Sequence, residues 1–319
     1  MDVIDALAAN TATKIWSEGA WSPKCGFPRA IGLFEQRLYF GGTAINPIRF
    51  WGSQVGDFEN LEYSDTDDAA VAFDIASSES NAIQWMEAME VIQIGTTGGE
   101  FVAASGNRDE PITPANVAVR GQSVYGADYI QAMTINDVVL FVQRQGRRVR
   151  EMAYNIERDR YVAPDLTLLA EHVTSSGITQ MAFTRQPDPL LLVVTNSGAL
   201  AVLTYNREQN ITAWTRWTTD GVIESVASLY GSPEDEIWFV VRRTVNGATV
   251  RYVERLAVES DVKADAVHLD ACATGTTAGA TITGLSHLEG RSVRAVVNGA
   301  VAGDYTCLLY TSDAADEED

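Results

Sequence analysis

Residues 138–154 read VVLFVQRQGRRVREMAY, and this stretch decides the fold class. Two apolar runs, residues 138–142 and 149–154, lie on either side of the dipeptide Gln145-Gly146. Glycine adopts the positive φ that a tight hairpin turn requires. The stretch therefore predicts two antiparallel β-strands joined by a turn.

The same arrangement of apolar run, turn and apolar run occurs five times along the chain. Successive turn dipeptides lie 47 to 52 residues apart. They are Asn46-Pro47, Gly98-Gly99, Gln145-Gly146, Ser197-Gly198 and Asn246-Gly247. Further apolar runs, candidates for the remaining strands of each repeat, are residues 71–75, 130–135, 178–183 and 222–229.

A repeat of about 50 residues that contains several strands is typical of β-propeller blades. We therefore predict a mainly β chain with a β-propeller-like repeat of about five blades. Two successive β-sandwiches are the alternative, which the even spacing of the turns disfavours.

One stretch departs from this pattern and predicts a short helix inserted between blades. In residues 165–172, DLTLLAEH, Asp165 follows Pro164 in the position of a helix N-cap. Leu166, Leu169 and Val173 would share one helix face, and a glycine follows the expected end.

We expect four segments along the chain. Residues 1–25 are predicted to end a preceding segment that is mostly missing, and residues 26–258 to form the propeller. A shift to Ala, Thr and Gly predicts a truncated small β domain over residues 259–306. Residues 307–319 are predicted to be a non-native tail, because CLLYTSDAADE (307–317) resembles the translation of a transposase sequencing adapter.

Composition limits the classes of function. With 46% apolar residues the chain can bury a sizeable core. A net charge of -20, from 23 basic and 43 acidic residues, argues against nucleic-acid binding through an overall basic surface. It is compatible with a channel through which DNA slides. Neither an export signal nor an apolar run of membrane-spanning length is present in the sequence, so we expect no membrane insertion and assembly in a cytoplasm.

Motifs for catalysis, cofactors and metals are absent from the sequence. It contains no GxSxG, Walker loop, GxGxxG or HExxH. The three histidines, His172, His268 and His287, are widely separated, and a triad of His172 and Asp165 with Ser175 or Ser176 would have to come from one loop. We therefore predict no catalytic residue, no cofactor and no metal ligand.

Two charged runs have alternative interpretations. Asp65, Asp67 and Asp68 resemble half of a calcium loop, but the glycine and distal glutamate are absent, so a solvated loop is favoured. The basic run around the Gln145-Gly146 turn is either a solvated loop or a contact with DNA phosphates or an acidic neighbouring subunit. Its members are Arg144, Arg147, Arg148 and Arg150.

The tryptophans divide into predicted core and possible surface positions. Trp51, Trp85 and Trp238 lie within β runs and are predicted to be core. Trp214 and Trp217 occupy opposite parities of a strand, so we expect one of them to be exposed.

Beyond these patterns, eight segments in collinear order resemble the tail nozzle proteins of short-tailed bacteriophages, a family also called tail tubular protein B. They are GFPRA (26–30), QRLYFGGT (36–43), FWGSQVGDFENL (50–61), IGTTGGEFV (94–102), FVQRQGRRVREMAYN (141–155), YVAPDLTLLAEH (161–172), LTYNREQNITAWTRW (203–217) and VVRRTVNGATVRYVERL (240–256). TITGLSHLEGRSV (281–293) is similar to the small β domain that follows in relatives.

The resemblance implies a non-enzymatic structural protein of the virion tail. It implies a ring of six copies around the channel through which the genome leaves, in transient contact with double-stranded DNA. The implied partners are the tail adaptor ring and the tail fibres or spikes. A propeller module that binds a receptor or glycan is the alternative function, and a propeller glycoside hydrolase is a less favoured third.

Overall fold

The computed structural model describes residues 19–76, 81–107, 110–257, 270–272, 282–298 and 300–308. In these residues the regular structure consists of 21 β-strands and one short 3₁₀ turn, Ser286–Leu288. No helix in the described ranges is long and apolar enough to cross a membrane. The chain forms two compact units, residues 1–96 with 101–120 and residues 97–100 with 121–319.

The strands form a series of sheets in which each strand pairs with the next along the chain. The first sheet contains β1 (Ala30–Phe34), β2 (Arg37–Gly41), β3 (Arg49–Gly52) and β4 (Val71–Asp74). The second contains β5 (Ile83–Ala88), β6 (Ile92–Thr96), β7 (Glu100–Ser105) and β8 (Val117–Ser123).

The later sheets have the same order. The third sheet contains β9 (Met133–Ile135), β10 (Val138–Val142), β11 (Val149–Asn155) and β12 (Arg160–Val162). The fourth contains β13 (Ile178–Thr184), β14 (Leu190–Thr195), β15 (Leu200–Asn206) and β16 (Ile211–Trp217). The fifth has three strands in the part described, β17 (Val222–Leu229), β18 (Glu236–Val245) and β19 (Ala248–Arg255), and β20 (Ser292–Val297) with β21 (Ala300–Thr306) forms a separate hairpin.

The prediction of a mainly β, propeller-like repeat of about five blades is confirmed. The five predicted hairpins are the pairs formed by the second and third strands of the five sheets, from β2–β3 to β18–β19. Within each unit, the first strands of successive sheets are neighbours: β1 lies against β5, and β13 lies against β9 and β17. Consecutive sheets of four strands that adjoin through their first strands have the order of propeller blades.

A repeated hydrogen bond joins successive sheets. The backbone N–H at the start of the next first strand donates to a carbonyl in the preceding hairpin turn: Ile83 to Pro47 (2.9 Å), Ile178 to Gly146 (2.6 Å) and Ile223 to Gly198 (2.9 Å). Each of these isoleucines is buried and stands at a register shift of its strand. Because these three turns each contact the next sheet, their spacing follows the spacing of the sheets.

The predicted helix over residues 165–172 is wrong, since the structure has successive turns there. Asp165 forms a β-bridge with Arg150, and the Leu166 N–H donates to the Val149 carbonyl at 3.0 Å. These bonds to β11 hold the start of the segment extended, and later bonds, such as Ala170 N–H to the Thr167 carbonyl, close single turns. The Asp165 side chain accepts a hydrogen bond from the Thr167 N–H, as a helix N-cap would, but no helix follows.

The tryptophan predictions are correct in part. Trp51 and Trp85 are buried in the core, whereas Trp238 is half-buried and its Nε1 donates to Glu236 at 3.0 Å. Trp214 and Trp217 are both half-buried, so neither is the exposed member of the pair.

Candidate functional site

The candidate site is the β10–β11 turn, residues 143–148, where the predicted basic run lies. Gln145 and Gly146 both have positive φ, and a side chain at Gly146 would approach a carboxylate oxygen of Asp128 to 2.8 Å. The Gln143 N–H donates to the Arg148 carbonyl at 2.8 Å. The positive φ favours glycine at Gly146, and the turn presents the arginines from a hydrogen-bonded backbone.

Two of the four arginines are used inside the structure. Arg150 is buried, donates to Gln143 Oε1 (2.8 Å) and to a backbone carbonyl, and places its guanidinium carbon 3.5 Å from the centre of the Tyr125 ring. Arg148 forms ion pairs with Asp165 (2.6 Å) and Glu171 (2.5 Å). Both guanidinium groups are therefore engaged by neighbouring groups of the same chain.

The other two arginines are exposed. Arg144 donates from Nη1 to the Thr97 carbonyl at 3.3 Å, a contact that leaves its charge facing solvent. The Arg147 carbonyl accepts from Thr174 Oγ1 at 2.7 Å, while its guanidinium is in no ion pair with the described residues. The structure thus splits the predicted group, and Arg144 and Arg147 remain as candidates for contact with a partner.

Beside this turn lies a segment that we call the strap, residues 163–177. Asp165 accepts from the N–H and the hydroxyl of Thr167 at 2.8 and 2.6 Å, and Trp214 Nε1 on β16 donates to the Leu166 carbonyl at 2.8 Å. Leu168 and Leu169 are 61% and 96% exposed. The strap is therefore held to two sheets while it presents two adjacent leucines to solvent.

Electrostatics favours the ionised form of the carboxylate that organises the strap. Burial alone would raise the pKa of Asp165. Hydrogen bonds from Thr167 and the contact with Arg148 outweigh burial and hold the pKa of this carboxyl below its usual value. Asp165 thus remains charged at neutral pH and holds Arg148 in place.

Two buried carboxylates near this region contact hydroxyl groups. Tyr205 donates to Glu151 Oε2 at 2.9 Å, and Arg207 Nε lies 3.0 Å from Glu151 Oε1. Burial, reinforced by Glu151, raises the pKa of Tyr205. Glu100 accepts from Ser123, and burial raises the pKa of Glu100. Sequence reasoning missed both pairs, because their members lie on different strands.

The residues considered for catalysis do not form a triad. Ser175 Oγ donates to the His172 carbonyl (3.1 Å) rather than to its ring, and Ser176 Oγ lies 3.3 Å from Ser197 Oγ. Asp165 contacts Thr167 and Arg148 instead. His287 bonds the Ala271 carbonyl at 2.9 Å, and His268 lies outside the described residues.

The half calcium loop is an exposed turn region. Asp65, Asp67 and Asp68 are exposed, and the carbonyls of Asp67 and Asp68 accept from the buried Arg37. Within the described part of the chain, no group of three or more Asp, Glu, His or Cys residues could hold a metal ion. Arg37 thus uses the backbone of this region rather than its carboxylates.

Comparisons with known proteins give structural likenesses only. No family model matches the sequence. No curated protein matches it either. A Lactobacillus plantarum protein is 11% identical with a TM-score of 0.42, covering 73% of this chain and 71% of that one. The Pan2 WD40 domain of Neurospora crassa is 12% identical with a TM-score of 0.42, covering 73% and 63%.

A third solved structure has a similar likeness. An auxiliary nutrient binding protein of Bacteroides thetaiotaomicron is 10% identical with a TM-score of 0.39, covering 73% of this chain and 57% of that one. The propeller-like fold of this chain rests on its own sheet order and on the contacts between its first strands.

Proposed function

We propose that this chain is a non-enzymatic interaction module on a propeller-like scaffold, and that its setting is the tail of a short-tailed bacteriophage. There it would be one subunit of a ring around the path of the genome, in contact with the adaptor ring and the fibres or spikes. The observation that carries the proposal is that, within each unit, sequence segments resembling tail nozzle proteins are joined by hydrogen bonds or ion pairs.

In the first unit, segments 26–30, 36–43 and 50–61 are joined by hydrogen bonds. The Arg29 N–H donates to the Gly41 carbonyl at 2.9 Å. The buried guanidinium of Arg37 donates to the Ser53 carbonyl at 2.7 Å. These segments are separate in sequence but hydrogen-bonded to one another in the structure. This supports the view that they resemble tail nozzle proteins as one structural element and not as unrelated short matches.

In the second unit, segments 141–155, 161–172 and 203–217 are joined in the same way. Arg148 pairs with Asp165, and Trp214 donates to the Leu166 carbonyl. These contacts hold the strap in place, and the strap exposes Leu168 and Leu169. Exposed apolar side chains on a fixed backbone are suited to contact another protein, because little conformational entropy is lost on binding.

The charge of the chain is compatible with a DNA path. The chain carries 43 acidic and 23 basic residues, and it stays strongly acidic without the five acids of residues 307–319. A wall made from several copies would therefore repel duplex DNA and would not retain it. Light scattering and electron microscopy of the purified chain test the proposal. We expect rings of six with an open axial channel. A monomer that remains single when mixed with purified adaptor rings would contradict the phage-tail assignment.

The second candidate function is a propeller module that binds a receptor or glycan. It is favoured by exposed tyrosines, since Tyr125 and Tyr129 lie in one loop and Tyr230 is 95% exposed. Aromatic side chains with a polar tip are common in binding surfaces. Glycan-array binding by the wild type that is lost in Tyr129→Ala, together with a monomeric state, would favour this function.

A further inference from the structure

We propose that the surface formed by the β10–β11 turn and the strap docks the acidic loop, residues 54–68, of a second copy of this chain. The inference rests on the proposed function, because it assumes that several copies assemble. The contact would be head-to-tail, with different surfaces on the two partners, which is the type of interface that closes rings.

The docking surface presents two exposed arginines on the turn and two exposed leucines on the strap, while the strap carboxylates Asp165 and Glu171 are paired with Arg148. The exposed arginines are Arg144 and Arg147, and the exposed leucines are Leu168 and Leu169. Turn and strap are one structure, because Thr174 donates to the Arg147 carbonyl. Positive charge is scarce in this chain, so two exposed arginines beside two exposed leucines distinguish this surface.

The acidic loop has the complementary composition. Its 15 residues, QVGDFENLEYSDTDD, include six acids and no basic residue. All six acids are exposed, as are the apolar side chains of Val55, Phe58 and Tyr63. The loop therefore offers both a negative charge and an apolar surface.

The loop is also ordered before it meets a partner. Inside it, the Gln54 N–H donates to the Asn60 carbonyl at 2.8 Å, and the Val55 N–H to the Asp68 carbonyl at 3.0 Å. Arg37 donates to the Asp67 carbonyl at 2.7 Å and so fixes the end of the loop. A preformed loop loses less entropy on docking than a flexible one.

A second copy is the occupant that charge complementarity favours. Two chains of net charge -20 repel each other, so a site where opposite charges meet favours one orientation of association over others. The arginine turn and the acidic loop supply opposite signs on the same chain. Apolar side chains on both surfaces would contribute the burial that surface ion pairs alone do not provide.

The test is a charge exchange on the full chain, followed by sedimentation. We expect Arg144→Glu with Arg147→Glu, or Glu59→Lys with Glu62→Lys, to weaken self-association by about 10-fold or more. Leu169→Ser is expected to weaken it by about 10-fold through lost burial. The chain that carries both reversals is expected to recover association, because its two surfaces are again opposite in charge.

Arg158→Glu with Arg185→Glu is the matched control, since both arginines are exposed elsewhere in the second unit. It makes the same change in net charge and should leave association unchanged. Rings that persist in all variants would overturn the docking site while the proposed assembly stands. Another outcome is that the chain forms head-to-tail pairs but no rings. If these pairs are lost in each charge reversal and regained in the chain with both reversals, the docking site is supported and the six-membered ring is contradicted.

Two further outcomes overturn the inference. A wild-type chain that stays monomeric would contradict both the docking site and the assembly. If Arg144→Glu with Arg147→Glu lowers binding to a duplex DNA probe and leaves self-association intact, the turn contacts DNA and the docking site is wrong.

Discussion

The fourth and fifth sheets differ in what covers their two faces. In β14 and β15, Leu191, Val193 and Leu203 pack into the core shared with the third sheet, while Leu192 and Val202 pack into the core shared with the fifth. The fourth sheet is thus buried on both sides. This is why its middle strands are continuous apolar runs rather than alternating ones.

The fifth sheet has one largely apolar face and one charged face. Ile237 and Val241 of β18 pack toward the fourth sheet. On the opposite face, Glu224 lies between Arg242 (2.9 Å) and Arg251 (2.6 Å). The comparison teaches that a face covered by another sheet is largely apolar, with the buried pair Arg243–Glu254 as its charged contact, whereas the other face carries exposed cross-strand ion pairs.

The largest expected effect is on the sheet that is buried on both sides. Leu192→Ala should destabilise the chain by about 2 to 5 kcal/mol, because it removes a fully buried side chain and leaves a cavity. Val253→Ala on β19, where the side chain is 70% exposed, is the control and should change stability by less than about 0.5 kcal/mol. Urea unfolding monitored by circular dichroism measures both, and equal losses would contradict the comparison.

The next effect concerns the charged pair on the covered face of the fifth sheet. Arg243 is only 4% exposed and donates from Nε and Nη2 to both carboxylate oxygens of Glu254, at 2.6 and 2.7 Å. Arg243→Met should cost about 2 kcal/mol, because it leaves Glu254 and the Asp220 carbonyl without their donor.

A double-mutant cycle tests whether that loss belongs to the pair. Glu254→Gln in the Arg243→Met background should cost less than in the wild type, since the carboxylate then has no partner to lose. Additive losses would show that Arg243 acts through packing alone.

Much of this contrast could be predicted from the sequence. Glycine-containing turns predicted the hairpins, and the continuous apolar run of residues 190–194 could also have identified a strand buried on both faces. A further signal marks the first strands of the second to fifth sheets, an isoleucine followed three residues later by Met or Val, at spacings of 45 to 48 residues. The pairs are Ile83 with Met86, Ile130 with Met133, Ile178 with Met181 and Ile223 with Val226.

The rest depended on contacts between distant residues. Residues 165–172 satisfied the local rules for a helix, but hydrogen bonds to β11 determined their conformation. Four arginines within seven residues suggested one basic cluster, yet Asp165 and the Ala163 carbonyl, distant in sequence, engage Arg148 and Arg150. Local pattern cannot identify such partners, because tertiary contacts decide among conformations of similar local energy.

A smaller effect is expected where the fourth and fifth sheets meet, at Asp235. Its Oδ2 accepts from the N–H groups of Arg185 (2.8 Å) and Gln186 (3.2 Å) and from Thr184 Oγ1 (3.2 Å). Burial would raise the pKa of Asp235, but these donors outweigh it and lower the pKa. Because the folded pKa lies below the unfolded one, the stabilisation is present above about pH 4 and is lost as pH falls through the folded pKa.

Asp235→Asn should therefore cost about 1 kcal/mol at pH 7 and progressively less as the solution is acidified. Urea midpoints at pH 7 and near pH 3 measure the difference. A penalty that is the same at both pH values would mean that Asp235 acts by shape, and not by its charge.

The smallest effect is expected on the charged face of the fifth sheet. Hydrogen bonds from two arginines lower the pKa of Glu224, and the bond from Arg251 has a larger effect than the bond from Arg242. This carboxylate is therefore ionised at neutral pH. Exposed ion pairs are screened by salt and must order long side chains, so they contribute little to stability. Glu224→Gln should shift the urea midpoint least among the variants, and added salt should remove the shift. A loss as large as that of Leu192→Ala, insensitive to salt, would mean that another surface covers this face of β18 and β19, and the contrast between the two sheets would fail.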